Sequence, residues 1–157
     1  MQGDASMQIR FIVTVAYFVL AIYCFGGGVI SGVMYYPSWK LVGVEDLPAV
    51  HKSVLSRIFV FVPFVFLAVL ANFLLIWFHH PAMSTPLIGI AAALHLFILV
   101  VSFTLFLPIH NQLDTAKSVE MIDRLVAYDR YLRLVPGCII MTATIVMLYQ
   151  VVSASAR

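Results

Sequence analysis

Two histidines are the best candidates in this sequence for acid–base chemistry. His51 stands before the second long apolar stretch of the chain, and His110 stands directly after the third. An imidazole ring titrates near neutral pH, so either ring can serve as a general base. A side chain that only anchored the chain at a membrane surface would be Lys or Arg. We therefore predict that His51 and His110 are catalytic.

Arginines near these histidines in the chain can hold an anionic oxygen. Arg57 precedes the second apolar stretch, and Arg130 and Arg133 precede the fourth. A guanidinium binds oxyanions through its planar fork of N–H donors, which predicts catalytic roles for Arg57 and Arg130. The structural alternative is that these arginines reach for water at an interface or pair with Asp123 and Asp129. The predicted substrate contacts fall at the same end of the molecule: Tyr36, Trp39, Asn111 and Arg133.

A third histidine, His95, lies in the middle of an apolar stretch. Asn72 reaches a similar depth in the preceding stretch if the two run antiparallel. Polar side chains of neighbouring membrane helices commonly hydrogen-bond to each other, which predicts a His95–Asn72 pair. The alternative is a haem ligand or a proton relay, so His95 is the candidate for cofactor binding.

Several functional classes are excluded. Di-iron bundles need inward-facing Glu residues, and no acidic residue lies in any apolar stretch. The zinc-hydrolase, P-loop and dinucleotide motifs are missing, so no metal site is predicted. A net charge of +2 from sparse, mixed charges argues against nucleic acid. The cofactor prediction is therefore none, or a haem.

Membrane-spanning helices must position these residues. The chain is 63% hydrophobic and 10% charged, against roughly 25% charged in a soluble domain. Its four uncharged stretches cover residues 11–36, 58–78, 87–107 and 134–152. Each approaches or exceeds the roughly 20 residues that cross hydrocarbon as a helix, and the first is too long for a signal peptide. We predict one all-α domain over residues 1–157, a four-helix transmembrane bundle.

An even number of crossings puts both termini and the short turn at residues 79–86 on one side. The loops 37–57 and 108–133 then share the other side, which we call the loop end. These loops carry seven of the nine Lys and Arg residues. The positive-inside rule therefore predicts an antiparallel, up-down bundle with a cytoplasmic loop end and periplasmic termini.

Both loops are predicted to contain helix starts. Asp46 and Pro48 favour a helix that begins near Leu47, and Ser118 favours an N-cap with Glu120 in the first turn. Two acid-before-base pairs four residues apart would support the last helix: Glu120 with Arg124, and Asp129 with Arg133. Pro63 and Pro136 are expected to kink the second and fourth helices near the loop end.

Small residues mark the first apolar stretch, namely Gly26, Gly27, Gly28, Ser31 and Gly32. Small residues let helices approach closely, so this face is interpreted as a packing surface. The alternative is that they clear space for a flat ligand.

One group of motifs resembles the anthrone-oxygenase-like family of small four-helix membrane proteins, many of them bacterial. The residues that carry the resemblance span about residues 20–150: the glycine-rich first helix, Tyr36-Pro37, Glu45-Asp46, His51, Arg57, the stretch Leu107 to Leu113, Arg124 and Arg130. The resemblance implies oxygenation of a polyphenolic anthrone without an obvious bound metal, with His51 and His110 in acid–base roles. It also implies a bacterial inner membrane. Tyr128-Asp129 precedes Arg130 where related sequences often have Asn-Trp.

The sequence therefore predicts an oxidoreductase or monooxygenase-like membrane protein. Its predicted partners are the lipid bilayer and a hydrophobic aromatic or quinone-like molecule, with a homo-oligomer or a larger membrane complex as the alternatives for its assembly. The alternative is a non-enzymatic accessory subunit of a larger complex that binds haem or quinone.

Overall fold

The computed structural model describes residues 2–58 and 60–156, and this part of the chain is helical with no strand. It forms five helices, three of which contain a widened, π-type turn. Helix α1 (Gln2–Ile30) continues through Ser31–Tyr35, Tyr36–Ser38 and Trp39–Leu41. Helices α2 and α3 are Leu47–Ile58 and Val62–Phe78. Helix α4 (Thr85–Val101) continues through Ser102–Phe106 into Leu107–Leu113, and α5 runs from Val119–Tyr128 through Asp129–Leu134 into Val135–Ser155.

Three of these helices, α1, α4 and α5, are long and apolar enough to cross a membrane. The second predicted span, residues 58–78, does not form one helix, because α2 ends at Ile58 and α3 begins at Val62. The two meet at an angle of 45° just before Pro63. Proline cannot donate a backbone hydrogen bond, so a helix readily restarts there. The kink predicted at Pro63 is therefore a break between two helices. The described part of the chain has five helices, whereas four were predicted.

The widened turns share a position relative to proline. Ser31–Tyr35, Ser102–Phe106 and Asp129–Leu134 each end two residues before a proline, namely Pro37, Pro108 and Pro136. A proline ring clashes with the carbonyl four residues earlier, and a wider turn moves that carbonyl away. Helix α5 therefore continues past Pro136 without a break, through the widened turn that precedes this proline.

Helix α1 packs against α3 and α5, and α4 packs against the same two helices. Two buried apolar clusters hold the arrangement together. The first contains Tyr17, Phe18, Ala21, Ala71, Leu75, Met83, Ile88 and Met147. The second, at the loop end, contains Tyr36, Trp39, Leu47, Val101, Phe106, Leu113, Ile122 and Leu125. Many large apolar side chains on the outer faces remain exposed, which suits a lipid environment.

Several local predictions at the loop end are confirmed. Helix α2 begins at Leu47, and the Ser118 hydroxyl accepts a hydrogen bond from the Met121 amide over 3.2 Å. Both acid-before-base pairs form: Glu120 with Arg124 at 2.7 Å, and Asp129 with Arg133 at 3.2 Å.

The loops are also tied to each other. Lys40 forms an ion pair with Asp123, and the Lys117 amine donates to the carbonyls of Lys40 and Val42. These contacts hold the last turn of α1 and Val42 against the start of α5. Side-chain contacts therefore fix the two loops of the loop end relative to each other.

Candidate functional site

His51 on α2 and His110 on α4 lie in direct contact. Nε2 of His51 is 2.9 Å from Nδ1 of His110, and the rings stack with centroids 5.2 Å apart. His51 is completely buried and His110 is 8% exposed. The structure thus brings the two predicted histidines together, and His110 is the one that an approaching molecule can reach.

Asp114 completes this group, and the sequence analysis missed it. Its Oδ1 lies 2.6 Å from Nδ1 of His51. Asp114 follows the last residue of α4, four positions after His110, so that the two lie about one helical turn apart. This four-residue spacing from His110 was the signal in the sequence that could have identified Asp114. The pairing of Asp114 with His51, 63 residues away in the chain, required the fold.

The hydrogen-bond directions follow from the chemistry of the carboxylate. An ionised Asp114 only accepts, so Nδ1–H of His51 donates to it. In a neutral His51, Nε2 then accepts from Nδ1–H of His110. The lone pair of His110 is therefore on Nε2, and none of the described residues hydrogen-bonds to that nitrogen. The result is a relay, Asp114–His51–His110, that ends in a free base.

Two aromatic side chains wall this relay. The Trp39 ring lies 4.9 Å from the His51 ring and 5.8 Å from the His110 ring, in both cases edge to face. The Tyr36 ring lies 5.7 Å from that of His110. Trp39 and Tyr36 are 2% and 4% exposed. This wall excludes water, which strengthens the electrostatic interactions inside the relay.

Arg133 links the aromatic wall to a buried carboxylate. Its guanidinium donates to the Tyr36 hydroxyl over 3.3 Å and lies 4.8 Å from the centre of the Phe106 ring. Its Nη1 is also 3.2 Å from Oδ1 of Asp129. That contact has the distance of an ion pair but not the geometry of a hydrogen bond, and Oδ1 of Asp129 has no hydrogen-bond partner among the described residues. Because the carboxylate is only 2% exposed, the Arg133 guanidinium is the charge that compensates it.

A cavity of about 100 Å³ opens beside Asp129 and Arg133. Residues of α1, α3, α4 and α5 line it, and most of them are apolar. His95 is its other polar lining residue, while His51 and His110 are not part of the lining. Arg133 therefore contacts both the cavity and the aromatic wall of the relay.

The predicted pair of His95 and Asn72 is confirmed. Nδ1 of His95 is 2.7 Å from Oδ1 of Asn72, and the Asn72 amide donates to the Ile88 carbonyl over 3.3 Å. The same His95 nitrogen is 2.9 Å from the Ala91 carbonyl. Because both partners of Nδ1 are acceptors, the ring carries its proton there, and Nε2 is an acceptor.

Three predicted site residues lie outside the relay. The side chains of Arg57, Arg130 and Asn111 are exposed, and no hydrogen bond, ion pair or ring contact joins any of them to His51 or His110. At each position the side chain lies on the outer face of its helix. The spacing of residues near a helix end does not show which face a side chain occupies. Their proposed roles in catalysis and substrate binding stay predictions. The same holds for Tyr36 and Trp39, which pack against the histidine rings, and for Arg133, which contacts Tyr36.

The described residues include no group of three His, Cys, Asp or Glu side chains that could hold a metal ion. Comparison of the chain with protein-family models, with curated proteins and with solved structures finds no match in any of the three. The function must therefore be argued from the relay and its surroundings.

Proposed function

We propose that this chain is an integral membrane oxidoreductase or monooxygenase-like enzyme in which His110 removes a proton from a hydrophobic aromatic or quinone-like substrate. The observation that carries this proposal is the Asp114–His51–His110 relay with its unoccupied Nε2. His51 and His110 are buried and Asp114 is partly buried. Burying polar side chains is costly, and such groups in membrane proteins usually mark function.

The relay gives His110 a route for proton transfer. The substrate proton goes to Nε2 of His110, and the proton on Nδ1 of the same ring passes to Nε2 of His51. The positive charge then rests on His51, next to the Asp114 carboxylate at 2.6 Å. A carboxylate in this position holds the ring in the required tautomer and stabilises the imidazolium that forms.

The substrate anion needs a counter-charge, and Arg133 supplies one next to the aromatic wall. In the anthrone oxygenation that the motif resemblance implies, the deprotonated ring carbon combines with molecular oxygen. The ring loses two hydrogen atoms and gains one oxygen atom, and the second oxygen atom leaves as water. That reaction needs a base and a counter-charge for the anion, which are the roles we propose for His110 and Arg133.

In the membrane we propose four antiparallel crossings, with α2 and α3 together forming the second. The loop end then faces the cytoplasm of a bacterial inner membrane, with the termini in the periplasm, because it carries seven of the nine Lys and Arg residues. The substrate reaches the relay from the bilayer, which dissolves hydrophobic aromatics.

The direct test uses purified protein in lipid nanodiscs with an anthrone and dissolved oxygen. We expect oxygen consumption and quinone absorbance, and we expect His110→Ala to lower the rate at least about 100-fold, the usual contribution of a general base. His80→Ala is the matched control, because His80 lies in the turn after α3 and should leave the rate unchanged. A His110→Ala protein that folds and turns over normally would refute the proposal.

Haem binding at His110, in an accessory subunit of a larger membrane complex, is the second candidate. It is favoured by the free Nε2 on a ring whose Nδ1 is hydrogen-bonded to a second residue, an arrangement common among metal-ligating histidines. Haem-reconstituted protein would then show a Soret band that His110→Ala abolishes. A Soret band that survives this substitution would exclude His110 as the ligand.

A further inference from the structure

The cavity beside Arg133 lies among the apolar stretches of the chain. All of its lining residues except Asp129 and Arg133 belong to the stretches 11–36, 58–78, 87–107 and 134–152. They come from α1, α3, α4 and α5, so four helices surround the space. In a bilayer these stretches lie in the hydrocarbon, which places most of the cavity at that depth.

Small side chains clear this space. Ala21 and Gly28 of α1, Ala68 of α3 and Gly137 of α5 all line the cavity, and a Cβ atom built at Gly28 meets nothing within 4 Å. Most of the other lining side chains are apolar. A water molecule needs roughly two to four polar partners in a cavity, so a lining of this kind favours an apolar ligand over water.

The polar side chains that line the cavity make contacts of their own. Nδ1 of His95 is hydrogen-bonded to Asn72. Asp129 and Arg133 form an ion pair at 3.2 Å, and Arg133 also donates to the Tyr36 hydroxyl. A charged ligand would bring an uncompensated charge into this apolar site, so the ligand should be neutral.

The volume limits the ligand to a small molecule. The cavity measures about 100 Å³, which is smaller than an apolar cavity of about 150 Å³ that binds benzene. A diatomic gas is only slightly larger than a water molecule, whose share of the liquid volume is about 30 Å³. Such a molecule fits, and a neutral apolar diatomic needs no hydrogen-bond partner.

The cavity shares one side chain with the surroundings of the relay. Arg133 lines the cavity, and its guanidinium donates to the Tyr36 hydroxyl over 3.3 Å. The Tyr36 ring in turn lies 5.7 Å from the ring of His110. Arg133 therefore stands between a molecule in the cavity and the aromatic wall of the relay.

We propose that this cavity binds dioxygen, the co-substrate of a monooxygenase. Dioxygen is neutral, apolar and diatomic, and its transfer out of water into an apolar site is favourable. The binding of the gas rests on the cavity alone. Its use as the co-substrate rests on the proposed function.

The binding test uses the paramagnetism of dioxygen. Protein with isotope-labelled alanine methyl groups, in nanodiscs, is equilibrated with oxygen or with argon at the same pressure, and methyl relaxation is measured by NMR. We expect the oxygen-induced increase in relaxation rate to be severalfold larger at Ala21 and Ala68, which line the cavity, than at Ala91 and Ala143. The last two are matched controls, because they are similarly buried and are not part of the lining. Equal increases at the four methyl groups would overturn the inference without any change to the protein.

A variant pair locates the gas. Gly28→Leu places its side chain in the open space of the cavity, whereas Gly26 lies on the same helix, is equally open and is not part of the lining. We expect Gly28→Leu to lose the excess relaxation at Ala68 and Gly26→Leu to keep it. A folded Gly28→Leu protein that keeps the excess would place the gas outside this cavity.

Turnover gives an independent readout. We expect Gly28→Leu to lower kcat/KM for dioxygen at least about threefold and to leave the KM for the aromatic substrate unchanged. Gly26→Leu should change neither value. An unchanged kcat/KM for dioxygen in Gly28→Leu would mean that the bound gas is not the co-substrate.

The two proposals fail separately. Excess relaxation at Ala21 and Ala68 in a protein that shows no histidine-dependent turnover would leave the gas site intact and remove the proposed function. Turnover that depends on His110, with equal relaxation at all four alanines, would do the reverse.

Discussion

At the scale of single residues, the central feature is a histidine whose free nitrogen is defined by its neighbours. His51 and His110 were predicted from residue type, because an imidazole ring titrates near neutral pH and because Lys or Arg is the usual anchor at a membrane surface. Asp114 escaped prediction because an acidic residue just after a helix is most often a solvated surface group. Only its 2.6 Å contact with His51 shows that it orients the relay.

Asp114→Asn is expected to slow turnover roughly tenfold to a hundredfold, the effect seen when the carboxylate that orients a functional histidine is replaced. The amide cannot compensate the positive charge that His51 acquires. Initial rates in nanodiscs measure the effect. Asp123→Asn is the matched control, since Asp123 pairs with Lys40 at the exposed surface and should leave the rate within about twofold. Equal losses in both variants would point to general destabilisation of the loop end.

At the scale of helices, prolines and glycines decide how the side chains meet. Each widened turn before Pro37, Pro108 and Pro136 adds a residue to the turn and so rotates the rest of the helix relative to a regular α-helix.

The two interpretations of the small residues in α1, as a packing surface and as space for a ligand, both describe part of the structure. Gly27 and Gly32 are packing positions against Phe61 and Asp129, and Gly28 lines the cavity.

Gly32→Ala is expected to destabilise the protein by about 1–3 kcal/mol, the usual cost of overpacking. The new methyl group would overlap the Asp129 carboxylate, at 1.9 Å from Oδ2. Thermal unfolding in detergent, followed by circular dichroism, measures the change. Gly26→Ala is the control, because nothing lies within 4 Å of its Cβ position and alanine favours a helix by about 0.5–1 kcal/mol. A Gly32→Ala protein as stable as the control would mean that Asp129 moves freely.

At the scale of the whole molecule, the number of membrane crossings depends on the bend between α2 and α3. Three helices are long enough alone, and α2 with α3 forms a fourth crossing only if both sides of the 45° bend traverse the bilayer. With four crossings, the turn after α3 lies on the same side of the membrane as the N-terminal segment. With three crossings, it lies on the opposite side.

Single cysteines at Met7, Thr85 and Thr115, in a protein whose Cys24 and Cys138 are replaced by alanine, test this topology. All three positions are exposed. With four crossings, a membrane-impermeant maleimide added to intact cells should label Met7→Cys and Thr85→Cys and leave Thr115→Cys unlabelled until the cells are broken. Opposite accessibility of Met7→Cys and Thr85→Cys would support three crossings.

Features that depend on one segment at a time could be predicted from the residues alone. An apolar run must satisfy its own backbone hydrogen bonds in lipid, so its length predicts a helix, and Ser118 caps the helix that follows it regardless of the rest of the chain. The meeting of His51 with His110 and Asp114, and the cavity between Asp129 and His95, were decided only by the tertiary structure. Those contacts join helices whose rotation and spacing depend on the widened turns and on glycine contacts, and the spacing of residues along one helix does not specify how it is turned against another.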